Sequence, residues 1–235
     1  MVSKNEYDQP IGDDLAGWTP PEPVEPAPLA GRHLRLEPLQ RTRHAIPLFH
    51  AYRSSDESLW TYMPWGPFVD AAELGQLCDR LTALPDWVPY AVVVDGEPVG
   101  MCCYLRMDAP AGVIEIGGIA WAPALQRTTA STEAIILLIA HAFESGYRRV
   151  EWKCDDLNAA SRAAAERFGF TYEGTFRKAT HYKGRNRDTA WFAIVDDDWP
   201  RLQARFATWM DPANFDEDGR QRRRLSEILV GRSRG

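Results

Sequence analysis

Between positions 113 and 170 the sequence passes twice from an extended apolar run into a helix, and this order constrains the fold more than any other feature of the chain. The run Val113-Ile-Glu-Ile-Gly-Gly-Ile-Ala-Trp121 reads as a strand. Small and hydroxylated residues at 126–131 lead into an apolar helix over 132–144, and a second strand follows at 149–154. Asn158 then opens an alanine-rich helix that ends at Gly169. Asn is a good N-cap, alanine favours helix, and glycine suits the left-handed residue after a helix end. Two strands separated by a whole helix are expected to lie parallel, because a tight turn joins only antiparallel neighbours.

Upstream, alternation at 34–39 predicts a first strand, and 45–52 a short helix in which Pro47 belongs to the first turn. Residues 59–68 hold four aromatics, Met63, two prolines and Gly66; this is neither helical nor strand periodicity but a stiff apolar loop. Asp70 is placed to cap a helix over 71–84, with Leu74, Leu77, Cys78 and Leu81 along one face. Strands at 90–94 and 98–105 flank the hairpin signal Asp95-Gly96. Downstream, 171–178 and 187–195 read as an antiparallel pair, and 199–209 as a last helix. Residues 1–30 form an arm with five prolines between Thr19 and Pro28, either disordered or packed across the domain or onto a second subunit. Residues 31–210 make one domain, and 211–235 a charged, irregular tail.

The charge balance, 27 basic against 33 acidic residues, gives a net −6 and argues against a nucleic-acid binder. The arginines at 220–224 stand beside acidic residues 216–218 and read as a solvated cluster. Cys102 and Cys103 are adjacent and point to opposite faces of a strand; with Cys78 and Cys154 they read as reduced, buried thiols of a cytoplasmic protein. The histidines have no metal-ligand spacing, so no metal is expected. The N-terminus lacks an apolar signal core, and the longest apolar run, 134–140, is too short to span a membrane.

Asn158, Ser161, Gly169 and Phe170, preceded by the 126–131 turn, resemble the core of the GNAT acetyltransferases, in particular the RimJ/RimL-like branch. The resemblance covers about residues 34–200. It implies an α+β GNAT fold: a mostly antiparallel, splayed mixed sheet of six to seven strands flanked by helices. It implies acetyl transfer from acetyl-CoA to a primary amine, a protein N-terminus or a small molecule, by direct attack in a ternary complex. The family turn Gln/Arg-x-x-Gly-x-Gly/Ala matches Gln126, Arg127, Thr128, Thr129, Ala130 and Ser131, followed by Thr132; its glycines are replaced here by Thr129 and Ser131. These residues would hold the CoA pyrophosphate at a helix N-terminus. Asn158 would hold the pantetheine arm, and Ser161 would protonate the leaving thiolate. Backbone N–H groups about Gly118, Ile119, Ala120 and Trp121 would meet the thioester.

Glu115 is the first candidate for the base that takes the amine proton, and also reads as an ordinary salt-bridged strand residue. The branch carries an acid near position 180, but Thr180 is not one, which makes His181, in an expected loop, the rival base. Trp60, Tyr62, Met63 and Trp65 are expected to form the acceptor wall, suited to a flat apolar or cationic amine. The lost glycines and the missing acid fit an alternative, a non-catalytic GNAT-fold module that binds acyl-CoA or a partner. A homodimer stays open.

Overall fold

The computed structural model describes residues 3–228. Two-residue strands β1 (Ser3–Lys4) and β2 (Pro10–Ile11) pair as a small separate hairpin, and β3 (Leu29–Ala30) follows. The chain then runs β4 (Arg35–Pro38), α1 (Arg41–Tyr52), α2 (Ala71–Thr82), β5 (Val88–Val94), β6 (Glu97–Asp108) and β7 (Val113–Trp121). It continues with α3 (Thr129–Glu144), β8 (Arg149–Asp155), α4 (Ala159–Phe168), β9 (Thr171–Tyr182), β10 (Arg185–Val195) and α5 (Trp199–Met210).

Strands β3 to β10 form one eight-stranded sheet, ordered β3-β4-β5-β6-β7-β8-β10-β9. Among the described residues only β7 and β8 pair in parallel, which the crossover through α3 allows; β4 and β5, joined through α1 and α2, are antiparallel. Alternation along the strands feeds two cores. Tyr90, Val92, Cys102, Tyr104, Ile114 and Ile116 face α3 and α5, whereas Ala91, Val93, Met101, Cys103 and Leu105 face α1 and α2. Cys102 and Cys103 thus fall on opposite faces. The caps lie where local chemistry put them: Asp70 accepts the N–H of Glu73 at 2.8 Å, and Gly169 closes α4 at φ +96°.

Three expectations are corrected by packing. The arm adds β3, so the sheet has eight strands rather than six or seven. Helix α1 starts at Arg41, which puts Pro47 in its interior. Burial of His44, Ala45, Leu48 and Tyr52 carries the helix through the proline. Strand β9 runs on to Tyr182, so His181 is a strand residue near a hairpin tip rather than a loop residue. Of the readings left open for the arm, it packs across the domain, and the irregular tail also reaches the core. Val24 is 7% exposed, Trp18 packs under Arg148 with the guanidinium carbon 5.6 Å from its ring centre, and Leu225 and Ile228 are buried. Residues 1–2 of the arm and 229–235 of the tail lie outside the described residues.

Candidate active site

The β7–β8 ladder stops at Glu115↔Glu151. Beyond it β8 keeps its partner β10 and β7 keeps β6, so the two strands part and a cleft of 2240 Å³ opens through the sheet. A bulge on β7 helps to turn it away: Gly117 and Ala120 face Cys103 and Met101, three residues' travel against two. Gly118 at φ +60° takes the turn, and a Cβ there would meet Cys103 Sγ at 2.9 Å, so only glycine fits.

Helix α3 begins on the rim of this cleft. Thr128 caps it, its Oγ1 accepting the Ser131 N–H at 3.1 Å, while the Ser131 hydroxyl donates to the Thr128 carbonyl at 2.8 Å. That leaves the N–H groups of Arg127, Thr129 and Ala130 with no acceptor among the described residues. Arg127 has φ +60°, which turns successive N–H groups toward one concavity, the arrangement that binds anions. Free donors therefore cluster at 127, 129 and 130, and Ser131, predicted as a donor, is buried and internally satisfied.

Across the gap, Asn158 Oδ1 accepts the Ser161 N–H at 3.1 Å and caps α4. Ser161 Oγ accepts the Trp152 indole N–H at 3.0 Å, so its own proton is directed to a second partner, and the neighbouring Cys154 sulfur is one such acceptor. Cys154 also lines the cleft, but burial pushes its thiol up, away from the reactive thiolate form.

The floor on the α1/α2 face is ionic. Glu115, 5% exposed, accepts from Arg106 Nε at 2.7 Å and lies 3.2 Å from Lys153 Nζ. Lys153 is shared with Glu151 at 2.5 Å, and its Nζ stands 3.6 Å from the centre of the Trp191 ring. Burial raises the Glu115 carboxyl above its ordinary range, and Lys153 and Arg106 pull against that shift. Burial also pushes Glu151 up, but Lys153 and Arg149 outweigh it and hold Glu151 down. Two neighbouring carboxylates are thus set apart, with Glu115 the better proton acceptor.

Most predicted residues meet here. Glu115, Ser161, Ile119, Trp121, residues 126–132, Asn158, Tyr62, Met63 and Trp65 all line the cleft. Ala120 is buried; its carbonyl accepts from Tyr52 Oη at 3.0 Å, and its side chain lies outside the cleft lining. Trp60 is 4% exposed, packed between Tyr52 and Phe68 beneath Gly66, so it supports the aromatic loop from behind and does not face the cleft. His181 is exposed and does not line the cleft. Thr180 does line it, and neighbouring strand residues point to opposite faces, so His181 is turned out. Sequence reasoning missed Arg106, Lys153, Trp191 and Phe176, which also line the cleft. One signal existed: charged 151 and 153 alternate with apolar 150, 152 and 154 in a strand expected to be buried. The aromatic loop is held by long-range bonds, from Tyr62 Oη to the Leu157 carbonyl at 3.2 Å and from Lys183 Nζ to the Trp60 carbonyl at 2.7 Å. Among the described residues no cluster of three or more His, Cys, Asp and Glu is placed to hold a metal.

The family model described as Acetyltransferase (GNAT) domain matches residues 33–171. A GCN5-related N-acetyltransferase from Brucella melitensis is 41% identical over 91% of this chain and 99% of its own, with a TM-score of 0.88. A probable acetyltransferase (GNAT family) from Chromobacterium violaceum is also 41% identical, over 82% of this chain and 98% of its own, with a TM-score of 0.78. Among curated proteins, the Bacillus subtilis "Putative ribosomal N-acetyltransferase YdaF" is 29% identical over 51% of this chain and 70% of its own.

Proposed function

Because the chain belongs to the GNAT acetyltransferase domain family, we propose that this acyltransferase moves acetyl from acetyl-CoA to a primary amine by direct attack within a ternary complex. The observation that carries the reading is the parting of β7 and β8 after Glu115, with two capped helix N-termini facing each other across the gap. The pyrophosphate takes the N–H groups of Arg127, Thr129 and Ala130, and the pantetheine arm passes Asn158 into the gap. The amine enters from the aromatic side and gives its proton to Glu115. Its nitrogen forms the new bond to the carbonyl carbon, backbone N–H groups of β7 near the bulge stabilise the oxyanion, and the C–S bond breaks. The electron pair of that bond leaves on sulfur; the Ser161 hydroxyl donates a hydrogen bond to the thiolate at the α4 N-terminus, and as Ser161 passes its proton to sulfur it takes one from solvent water. The protonated state of Cys154 supports direct attack over an acetyl-thioenzyme.

The acceptor is a primary amine, and the name of the Bacillus relative makes ribosomal protein N-termini the first acceptors to try. Among the described residues no helix is long and apolar enough to cross a membrane. Four buried thiols suit the reducing cytoplasm, where we place the reaction. The test is CoA release from acetyl-CoA over a panel of N-terminal peptides, polyamines and amino sugars, with the product identified by mass. Failure of every amine to raise CoA release above hydrolysis would overturn the reading.

Two substitutions separate binding from folding. Thr129→Pro deletes one free N–H at the first helical position, where proline is tolerated, and Thr128 before it is already extended at φ −93° and ψ 165°. A lost hydrogen bond to a charged group is worth about 1.5–3 kcal/mol, so CoA affinity should fall roughly tenfold or more with the melting temperature unchanged. Thr129→Ala keeps the N–H and is the control; equal losses in both would remove the N–H from the account. Asn158→Ala should cost about 1 kcal/mol of stability through the lost cap and also weaken CoA. Lower stability in denaturant with unaltered CoA affinity would leave Asn158 a cap and nothing more.

A further inference from the structure

At its outer end the cleft is lined by cations from segments outside the family match. The turn Gly31-Arg32-His33 is docked on α3 by the buried Glu133 carboxylate, which accepts the N–H groups of Arg32 at 2.6 Å and His33 at 2.8 Å. A Cβ on Gly31 would stand 2.8 Å from that carboxyl, so the close approach needs glycine. From the tail, the Phe215 ring lies tilted against His33 with ring centres 6.2 Å apart, and Phe215 forms a β-bridge to Gln221, whose amide oxygen accepts the Trp209 indole N–H at 2.9 Å. Arg220 is thereby brought to the same rim. On α4, Arg167 donates to Thr132 Oγ1 at 3.2 Å. Arg32, Arg127, Arg167 and Arg220 all line the cleft around the first turns of α3. Among the described residues the first three have no acidic partner within ion-pair distance. The fourth meets only Asp218, at 3.2 Å, and both are largely exposed, a pairing of little worth.

We propose that the arm and the tail jointly build a phosphomonoester site here, in which Arg32 and Arg220 close over the 3′-phosphate of CoA. The inference rests on the acetyl-CoA reading above. The 3′-phosphate is the strongest charge of that molecule beyond its pyrophosphate, close to a dianion at neutral pH, and two guanidinium groups can engage it bidentately. Arg167, less exposed, forms the floor, and Arg127 faces the pyrophosphate. This also accounts for the buried Leu225 and Ile228: they anchor the segment that presents Arg220.

The experiment is calorimetric titration of the full chain with CoA and with 3′-dephospho-CoA. The wild type should prefer CoA by roughly tenfold or more, the span expected of charge-assisted hydrogen bonds, and the preference should shrink as salt is raised. In an Arg32→Ala/Arg220→Ala variant the preference should collapse toward parity through loss of CoA affinity alone. An Arg32→Lys/Arg220→Lys variant should retain part of it. Equal wild-type affinity for the two ligands would overturn the site, even if the alanine variant failed to fold. So would a folded variant that weakened for both ligands alike. Binding of neither ligand by the wild type would instead bring down the acetyl-CoA reading on which the site rests.

Discussion

Glu115→Gln is expected to lower kcat by roughly 10²-fold or more, the usual contribution of a positioned general base, with acetyl-CoA affinity retained. The shape is nearly conserved, and the amide can still accept from Arg106, which donates at 2.7 Å. The fold should survive for a reason visible in the titration of this residue. Burial raises the carboxyl of Glu115 in the folded chain, with Lys153 and Arg106 only partly opposing. A carboxyl with a raised folded pKa contributes stability below its unfolded pKa and loses it as pH rises through the folded one. At neutral pH its ionised form is therefore a net cost, and glutamine removes it. The rate of the wild type should fall on the acid side as Glu115 is protonated, above the ordinary glutamate range, and this limb should vanish in the variant. His181→Gln, outside the cleft, should leave the profile unchanged. A Glu115→Gln enzyme with normal kcat would mean that the amine loses its proton to water, and the assignment of the base would be wrong.

Lys153→Met should have the largest effect on stability. The lysine side chain is 6% exposed and is held between Glu115 at 3.2 Å and Glu151 at 2.5 Å, over the Trp191 ring. Removing one partner of a buried ion pair commonly costs about 3–5 kcal/mol, because the remaining charge stays desolvated. The lower end is expected here, since Glu115 keeps Arg106 and Glu151 keeps Arg149. Denaturant unfolding measures the loss. Its pH dependence has a definite sign. Without Lys153 the Glu115 carboxyl rises further, so the deficit should shrink on acidification as that carboxyl takes up its proton. For the same reason the acid limb of the rate should move to higher pH. A loss below about 1 kcal/mol, or an unmoved acid limb, would show that Lys153 does not govern the charge of Glu115.

Local signals were read reliably where one short segment carried the whole physical reason. Asp70 and Asn158 cap helices because a side-chain oxygen reaches an N–H three residues on. Gly169 ends α4 because it tolerates positive φ. The Asp95-Gly96 turn followed from its two residues, and a crossover long enough to hold α3 allowed the parallel β7–β8 pair. The Gly117-Gly118 pair coincides with the bulge on β7, where a residue that tolerates positive φ is needed. Thr128 shows the limit of such reading: the turn holds three hydroxyls, at 128, 129 and 131, and the one that captures the Ser131 N–H decides which donors stay free.

The sequence by itself determined the order of elements, the family they resemble and the two helix N-termini. Each of these depends on hydrogen bonds or periodicities spanning a few residues, which survive whatever the rest of the chain does. Only the tertiary structure decided that Lys153 and Arg106 bracket Glu115, that Trp65 lines the cleft while Trp60 holds it from behind, and that His181 turns away. It alone brought Arg32 and Arg220, 188 positions apart in the sequence, to one rim. Those outcomes depend on strand register and on contacts between distant segments. A shift of one residue would exchange every inward side chain for its neighbour, and no local preference records which register burial of the two cores selects.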